Sequence, residues 1–343
     1  MKKRLKKTRP VGARLARRRA AKFDVISIGD TTLDVFLELE KEVKVIKEKN
    51  GKEYLALLNA EKIPVKKLTN ILAVGNSANV AVGSSRLGLK TALYTVLGND
   101  EIGKEMANVL HGEGVARDYI VFDKKQKSNF SAVLNYKAER TILVYHERRQ
   151  YKLPKFASSK WIYYSSLAKG HDALHHEIPS YVKKHKVSLG FNPGSHQLNE
   201  GLKKLRPILK VTTVLFVNRE EAQTLVGKEQ NIKKLMGKLH KEGVKIVVIT
   251  DGPKGSYASD GKNAYYLNIF PAPLVERTGA GDSFSTGFIS ALIYKESIVN
   301  AMCWGTVNSA SVIGKIGARE GLLKKREIES TLKKNPSFQA KRI

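Results

Sequence analysis

Over most of its length the chain alternates between short apolar runs and stretches in which apolar residues recur with helical spacing. The first run, residues 23–30, is rich in β-branched residues and ends at a glycine, which predicts a buried strand of a parallel sheet. Further strands are predicted at 161–166, 187–192, 214–218 and 245–250, with helices between them. This rhythm predicts an α/β fold with a doubly wound, mostly parallel sheet flanked by helices.

Two segments depart from this rhythm and alternate apolar and polar residues with a period of two. Residues 35–72 alternate on both sides of Asn50-Gly51, which is a hairpin signal, and residues 129–146 hold two more alternating runs. We expect these segments to form a small antiparallel β lid. The predicted organisation is a basic, disordered arm at 1–22, one domain at 23–335 that includes the lid, and a tail at 336–343.

A helix is predicted after Thr278-Gly279-Ala280-Gly281-Asp282, because the apolar residues that follow share one face. Backbone N–H groups at a helix N-terminus lack intrahelical partners, and glycine lets a ligand come close to them, so this turn is a candidate anion hole. Asp282 in the first turn could take a proton from an attacking hydroxyl, as phosphoryl transfer requires. The alternative is an ordinary turn in which Asp282 only complements the helix dipole.

Polar residues cluster where other predicted strands end, which is where a doubly wound sheet binds its ligands. The clusters are Asp30 with Asp34, Asn192, Asn218 with Glu221, and the loop from Thr250 to Gly255. Each has a structural alternative: the Asn218/Glu221 spacing, for example, also fits a helix capping box. The coincidence of several clusters with the glycine turn favours a ligand site.

Charge and composition limit the class of protein. Hydrophobic residues make up 42% of the chain, too many for a disordered protein, and its net charge of +29 favours anionic partners. Residues 1–22 hold eleven Lys or Arg and no acid. They fit a solvated arm, a tail with weak nucleic-acid contacts or an Arg-rich targeting peptide, and we favour the arm.

Three further observations concern location and metals. The single cysteine, Cys303, cannot form an internal disulfide and fits a buried thiol in a reducing cytoplasm. No run of about 18 apolar residues is present, so no membrane span is predicted. The histidines, including His175-His176, lack the company of other metal ligands in the sequence, which favours a surface role.

With these motifs in place, the chain resembles the ribokinase-like (PfkB) family of carbohydrate and nucleoside kinases over residues 23–323. The most specific match is the turn Thr278-Gly279-Ala280-Gly281-Asp282. The stretch Gly75-Asn76-Ser77-Ala78-Asn79 and the Asn218/Glu221 pair are less specific matches.

The resemblance implies ATP-dependent phosphorylation of a hydroxymethyl group on a sugar or sugar-like substrate. Asp282 would be the general base, with Gly279, Ala280 and Gly281 as the anion hole. Glu221 would hold Mg²⁺, through water, together with Asn218. The implied substrate-binding residues are Asp34, Gly75, Asn76 and Asn79, and the implied nucleotide-binding residues are Asn218, Thr250, Gly252, Gly255 and Asn308.

The chain departs from the family pattern at two places. Val74 replaces the first of the two glycines usual before Asn76, so a side chain stands where backbone normally meets substrate. Glu276-Arg277 replaces the usual Asp-Thr, and in relatives that Asp helps to hold a potassium ion. The sequence therefore does not predict activation by a monovalent cation. Arg277 would either supply positive charge itself or lie at the surface.

Two alternative functions remain open at this stage. One is a nucleoside kinase of the same fold, although Tyr54 is the only candidate for base stacking in the lid. The other is a nucleic-acid-associated binding protein that uses the basic arm. Arg140 and Lys137 in the lid would suit a phosphorylated sugar. An uncovered strand edge of the lid also predicts pairing with a second copy as a homodimer.

Overall fold

The computed structural model describes residues 21–40, 43–137 and 139–343. The strands in these residues are β1 (Phe23–Ile28), β2 (Thr32–Leu39), β3 (Val43–Lys47), β4 (Glu53–Leu57), β5 (Val65–Val74), β6 (Thr91–Gly98), β7 (Val115–Ala116), β8 (Ile120–Asp123), β9 (Asn129–Tyr136), β10 (Glu139–Tyr145), β11 (Ser159–Tyr164), β12 (Ser188–Phe191), β13 (Val214–Asn218), β14 (Ile246–Thr250), β15 (Ser256–Ser259), β16 (Ala264–Leu267) and β17 (Lys341–Arg342). The helices are α1 (Asn76–Arg86), α2 (Glu101–Gly112), α3 (Asp172–His185), α4 (Ser195–Asn199), α5 (Leu202–Leu209), α6 (Arg219–Val226), α7 (Ile232–Lys241), α8 (Ala280–Ile293), α9 (Ile298–Ile313) and α10 (Lys325–Lys334).

The main sheet of the described residues has 11 strands, in the order β17-β16-β15-β14-β13-β12-β11-β1-β6-β7, with β8 also paired to β6. The strands from β14 to β6 in this order are parallel to one another. Those from β15 to β17 extend the sheet as antiparallel strands. The prediction of a doubly wound, mostly parallel sheet is confirmed.

Successive residues of the buried strands point to opposite sides of the main sheet, and both sides are apolar. Helices therefore cover both faces of the sheet. In β1, Val25 packs in the same core as residues of α8 and α9, including Phe288. Its neighbour Ile26 packs in the other core, with residues of α3 and α5 such as Leu174. Strands buried on both faces therefore read as continuous apolar runs, which is why the sequence revealed them.

The lid consists of two small sheets. A four-stranded sheet has the order β10-β9-β2-β5, and β3 and β4 form a separate hairpin whose turn contains Asn50 and Gly51. One pairing differs from the prediction of an antiparallel lid, because β2 and β9 run parallel. The chain between them passes through β6 and α2 of the main domain, and such a long connection can bring two strands together in the same direction.

The final residues, which the sequence analysis describes as a tail, pack against the domain. Strand β17 pairs with β16 at the edge of the main sheet. The ring of Phe338 lies 5.0 Å from that of Phe270, measured between centroids, and its carbonyl accepts a hydrogen bond from the buried Cys303 thiol. In the part of the chain that the structure describes, no helix is both long enough and apolar enough to cross a lipid bilayer.

The predicted surface role of His175-His176 is wrong for His175. Its side chain is 5% exposed and packs edge-on against the ring of Tyr164, whereas His176 is exposed. The reason is the geometry of α3: His175 lies three residues before Ile178 and therefore shares the buried face of the helix.

Candidate active site

The turn before α8 requires glycine at its centre. Gly279 has φ 79° and is the N-cap residue of α8, and a β-carbon there would lie 2.6 Å from the backbone of Ala318. Both its left-handed conformation and this close contact would make any residue larger than glycine energetically costly at this position. The N–H of Ala280 donates to the carbonyl of Arg277 at 3.3 Å, and α8 continues from there with Gly281 and Asp282 in its first turn.

Asp282 is buried at the N-terminal end of α8. The side-chain amide of Asn79, on α1, donates a hydrogen bond of 2.7 Å to its Oδ2. Burial raises the pKa of Asp282 to about 6, although the bond from Asn79 acts in the opposite direction. A carboxylate whose pKa lies near neutrality suits a general base, because it is ionised at pH 7 yet accepts a proton readily.

Glu276 fastens the loop that leads into this turn. Its Oε1 accepts the hydroxyl of Thr278, and its Oε2 accepts the N–H of Gly317 at 2.7 Å. The side chain is only 5% exposed, so both carboxylate oxygens are engaged within the protein. The residue at the departure from the family pattern therefore stabilises the turn itself.

A polar cavity of about 450 Å³ opens above Asp282, between the main sheet and the lid. Strands β2, β9 and β10 of the lid contribute to its wall, as do the carboxyl ends of several main-sheet strands. Its lining includes every residue that the sequence analysis assigns to catalysis, substrate binding and magnesium: Asp34, Gly75, Asn76, Asn79, Asn218, Glu221, Gly279, Ala280, Gly281 and Asp282.

Two buried aspartates stand at the lid side of this cavity. Asp34 on β2 is 9% exposed, and burial raises its pKa to about 6. Its Oδ1 is buried and has no hydrogen-bond partner among the described residues. Burial also raises the pKa of Asp30, which accepts hydrogen bonds from the Tyr151 hydroxyl at 2.6 Å and the Ala168 N–H at 2.7 Å.

Gly75 joins the lid to α1 by a conformation that favours glycine. Its φ is 119°, and a β-carbon there would lie 2.6 Å from the carbonyl oxygen of Asp30. The next residue, Asn76, donates to the Asn192 side chain at 3.3 Å, and both asparagines line the cavity. Val74, the departure from the usual glycine pair, lines the cavity as well, so its side chain helps to limit the space for an acceptor.

Asn218 and Glu221 form a reciprocal cap at the start of α6. Asn218 N–H donates to Glu221 Oε2 at 2.8 Å, and Glu221 N–H donates to Asn218 Oδ1 at 2.8 Å. The capping box that the sequence left as an alternative is therefore present. The same two residues line the cavity, and burial raises the pKa of Glu221. The cap uses one oxygen of each side chain and holds both beside the cavity.

A second, mostly apolar cavity of about 370 Å³ lies on the other side of the α8 N-terminus. Thr250, Gly252 and Gly255, at the end of β14, form one side, as the resemblance implies. Apolar residues such as Phe270 and Ile313 form the other, which suits a flat aromatic base. Thr306 and Ser309 of α9 also line it, and the sequence analysis missed both.

The structure does not bring Asn308 to this cavity. Its side chain is fully buried, and its amide group donates to the Ser283 carbonyl at 2.8 Å and accepts the Leu323 N–H at 3.0 Å. Both ends of the amide are thus used to join α8, α9 and the segment that follows α9. A polar residue within an apolar helix resembles a ligand contact in sequence, but here it satisfies buried backbone groups.

The two cavities meet at the glycine turn. Four residues line both of them: Thr250, Arg277, Ala280 and Gly281. Arg277 is exposed to solvent at this junction, and both alternatives for it, a surface residue or a source of positive charge at the site, stay open. A ligand that passed from one cavity to the other would run along the N-terminus of α8, where the helix dipole favours negative charge.

Several lining residues were not predicted. Ser131 on β9, His146 after β10 and Ser285 on α8 all line the polar cavity. The alternation in β9 indicated that Ser131 shares a face with its second neighbours, but not which face meets the cavity. His146 and Ser285 carried no spacing signal that would separate them from other polar residues.

Taken together, a doubly wound sheet, a β lid and two cavities that meet at a helix N-terminus define a kinase of the ribokinase-like fold. The family model described as pfkB family carbohydrate kinase matches residues 59–325, and the chain belongs to that family. The protein is thus a carbohydrate kinase by family, and the resemblance drawn from the sequence is confirmed.

Relatives and solved structures agree with this assignment. An uncharacterised sugar kinase from Archaeoglobus fulgidus is 28% identical over 259 residues, which cover 70% of this chain and 98% of that protein. A fructosamine kinase from Bacillus subtilis is 28% identical over 251 residues, covering 71% of this chain and 84% of that protein. The structure of Arabidopsis thaliana ribokinase with ribose and ATP has a TM-score of 0.75 at 22% identity, covering 91% of this chain and 99% of that one. At that identity the last likeness shows the fold alone.

Proposed function

We propose that this kinase transfers the γ-phosphoryl group of ATP to a hydroxymethyl group of a sugar or sugar-like substrate, with Asp282 as the general base. The observation that carries the proposal is the position of Asp282: a buried carboxylate with a raised pKa, in the first turn of a helix whose N-terminus lies between two cavities. The polar cavity would hold the acceptor and the apolar cavity the adenine end of ATP.

The proposed division of work follows the groups that line each cavity. Asp282 accepts the proton of the attacking hydroxyl, while the Asn79 amide holds its Oδ2 and fixes the orientation of the carboxylate. The N–H groups of Gly279 and Gly281 would stabilise the charge that develops on the transferring group, whereas the Ala280 N–H donates to the Arg277 carbonyl. Asp34 accepts hydrogen bonds from acceptor hydroxyls, and the lid strands exclude water from the cavity.

The donor set beside the phosphate path fits Mg²⁺, which prefers hard oxygen ligands and retains several waters. Glu221 and Asn218 would hold the ion, directly or through water, since the helix cap leaves one Glu221 oxygen outside the reciprocal pair. When bound with the nucleotide, the ion would neutralise phosphate charge. Glu276, by contrast, accepts one hydrogen bond at each carboxylate oxygen, from Thr278 and from Gly317, and we propose no monovalent-cation site there.

The lining of the polar cavity favours a sugar over a nucleoside as acceptor. It is rich in hydroxyl-binding groups, and Phe216 is the one aromatic side chain among its described lining residues, apart from the imidazole of His146. Tyr54, the candidate stacking residue of the sequence analysis, is 46% exposed and lies outside this lining. Arg140 does line the cavity, which supports a substrate that carries an anionic group such as a phosphate.

The test is a screen of ADP release with ATP and Mg²⁺ over a panel of pentoses, hexoses, sugar phosphates, fructosamines and nucleosides. We expect turnover with one sugar class and a loss of about 10²- to 10⁴-fold in kcat for Asp282→Asn. The matched control is Asp118→Asn, at an exposed position outside the lining of both cavities. A nucleoside as the best substrate would favour the alternative kinase, and near wild-type turnover by Asp282→Asn would refute the proposed mechanism.

Two other predictions about partners are not tested by these observations. Strand β10 is the exposed edge of the four-stranded lid sheet, so its pairing with a second copy stays a prediction. Nucleic-acid contact through residues 1–22 also stays a prediction, and residues 1–20 lie outside the described part of the chain.

A further inference from the structure

Two histidines and a glutamate lie together outside both cavities. His171 is the N-cap residue of α3, His175 follows one turn later, and Glu200 ends α4. The histidines are 2% and 5% exposed, and the potential ligand atoms of the three residues all lie within 4.8 Å of one another. The spacing of four places both imidazoles on one side of the helix start.

The hydrogen bonding of His171 determines which of its nitrogens is available. Its Nδ1 lies 2.6 Å from the carbonyl oxygen of Ala168. A carbonyl only accepts, so Nδ1 carries the proton, and in the neutral ring Nε2 presents a lone pair. That Nε2 lies 3.2 Å from Glu200 Oε1. A lone pair that faces a carboxylate oxygen at this distance is repulsive unless a cation lies between them or the ring is protonated.

The contacts within the cluster do not behave as hydrogen bonds. His175 Nδ1 lies 3.4 Å from Glu200 Oε2. Yet neither that oxygen nor His171 Nε2 has a hydrogen-bond partner among the described residues. Buried polar atoms are nearly always paired, so three side chains that converge without hydrogen-bond geometry need another explanation.

We propose that His171, His175 and Glu200 bind a divalent transition-metal ion, with Zn²⁺ as the best fit. Two imidazoles and one carboxylate are a recurrent zinc donor set, in which water takes the fourth position. Zn–N and Zn–O bonds of about 2.0–2.1 Å place tetrahedral ligands about 3.3 Å apart, close to the separations of 3.2 and 3.4 Å here. The bond from His171 Nδ1 to a backbone carbonyl is the usual support of a metal-binding histidine.

The charges around the cluster are compatible with a bound cation. Glu200 supplies a carboxylate that offsets part of the charge of a divalent cation. Lys204 opposes the site, since its Nζ lies 4.0 Å from Glu200 Oε1. However, its side chain is 60% exposed and also lies 3.8 Å from Asp172, so it can move toward Asp172 and solvent.

A metal ion here would join the start of α3 to the end of α4. It would also fix the loop that reaches the polar cavity. The carbonyl of Ala168 accepts the hydrogen bond from His171 Nδ1, and the N–H of Ala168 donates to Asp30 at 2.7 Å. The ion would therefore stabilise the wall of the polar cavity without touching the reacting groups. The proposal is independent of the identity of the acceptor.

The test uses the full chain after treatment with EDTA, without nucleotide or magnesium. We expect the protein to bind about one equivalent of Co²⁺, with visible absorption bands typical of tetrahedral nitrogen and oxygen ligands, and Zn²⁺ to displace it. Glu200→Gln and His175→Gln should weaken the affinity for Zn²⁺ more than about 100-fold, since loss of a ligand exceeds the loss of a supporting residue. The matched control is His176→Gln, one residue along α3 and exposed, which should bind as the wild type does.

Thermal unfolding gives a second readout that does not depend on activity. Zn²⁺ should raise the Tm of the wild type and of His176→Gln but not that of Glu200→Gln, because only a folded site binds the ion. If His175→Gln fails to fold, Glu200→Gln still decides the question, because Glu200 is partly exposed. Its affinity for Zn²⁺ and its Tm shift can then be compared with those of the wild type. Absence of stoichiometric binding by the wild type, or equal affinity in Glu200→Gln, would show that the cluster is only a His171–Glu200 ion pair and would overturn the proposal.

Discussion

Asn79 and Asp282, which are 203 residues apart in sequence, share a hydrogen bond of 2.7 Å between the amide nitrogen and Oδ2. The bond joins the N-terminal end of α1 to that of α8 and holds the proposed base, Asp282, in the lining of the polar cavity. Because the amide donates to the charged form, it counteracts the effect of burial on the pKa of Asp282.

Removal of this hydrogen bond should therefore change the pH dependence of the reaction. In the wild type we expect kcat/KM to fall as the pH drops below about 6, since Asp282 and Asp34 both become protonated there. Asn79→Leu keeps the approximate volume but loses the donor, so the pKa of Asp282 rises and the acid limb moves to higher pH. Steady-state rates between pH 5 and 9 measure the shift. An acid limb that stays in place would show that the bond does not tune the base.

The same burial should make Asp282 a cost to stability at neutral pH. Its pKa is raised on folding, so between the unfolded value near 4 and the folded value of about 6 the folded chain binds more protons, and stability falls as the pH rises through this window. Above pH 6 the cost is up to about 3 kcal/mol. Asp282→Asn should thus be more stable than the wild type at pH 7.5, and the difference should vanish near pH 4.

Urea unfolding at the two pH values measures this difference. Asp118→Asn provides a control of opposite sign, since the pairing of Asp118 with Lys22 lowers the pKa of that exposed carboxylate. Equal stabilities of Asp282→Asn and the wild type at pH 7.5 would contradict the proposed charge state of the base.

The two glycines of the α8 turn should respond differently to alanine. Gly279→Ala forces a positive φ and a contact with Ala318, so we expect a loss of about 2–4 kcal/mol in the free energy of unfolding. Gly281 lies within α8, and a β-carbon there would meet nothing within 4 Å. Gly281→Ala should therefore be as stable as the wild type or more so.

Gly281→Ala should lose activity even though its stability is kept. Its added methyl group would lie where both cavities meet and would keep a phosphate from close approach, so kcat/KM for ATP should fall at least about tenfold. Unfolding curves and steady-state kinetics on the same preparations separate the two effects. Full activity of Gly281→Ala would argue against an anion hole at this turn.

Arg277 should contribute through its charge. Arg277→Gln removes the positive charge at the junction of the cavities, and we expect kcat to fall at least about tenfold with a smaller change in the KM for ATP. Arg326→Gln, on the exposed side of α10, is the matched control. Should the two variants have the same kinetic constants, Arg277 would be only a surface residue.

The sequence predicted local features more fully than distant ones, for physical reasons. The cap between Asn218 and Glu221 depends on a spacing of three residues, and the strands of the main sheet depend on burial of both faces, so each leaves a local pattern. The bond between Asn79 and Asp282 leaves none, because two distant helices create it. The buried state of His175 was misjudged even though its spacing from Ile178 is local, since both residues lie on the buried face of α3.

Asn308 shows a different limit of sequence reasoning. A polar residue in the apolar helix α9 was assigned to the nucleotide, yet its amide pairs with backbone groups of Ser283 and Leu323. Sequence shows that such an amide must find partners, but packing decides whether these are ligand or protein. The parallel pairing of β2 and β9 was missed because it depends on the path of the chain between them.

The polar cavity has two walls of different origin, and under the proposed function this has a consequence for how substrate specificity can change. Asp34, Ser131 and Arg140 stand on lid strands, whereas Asp282 and the glycine turn belong to the main domain. Substitutions, insertions or a new register in the lid can thus exchange one acceptor for another while the phosphate chemistry stays intact. Under the proposed function, new substrate specificities can arise in such a fold while the catalytic residues stay unchanged.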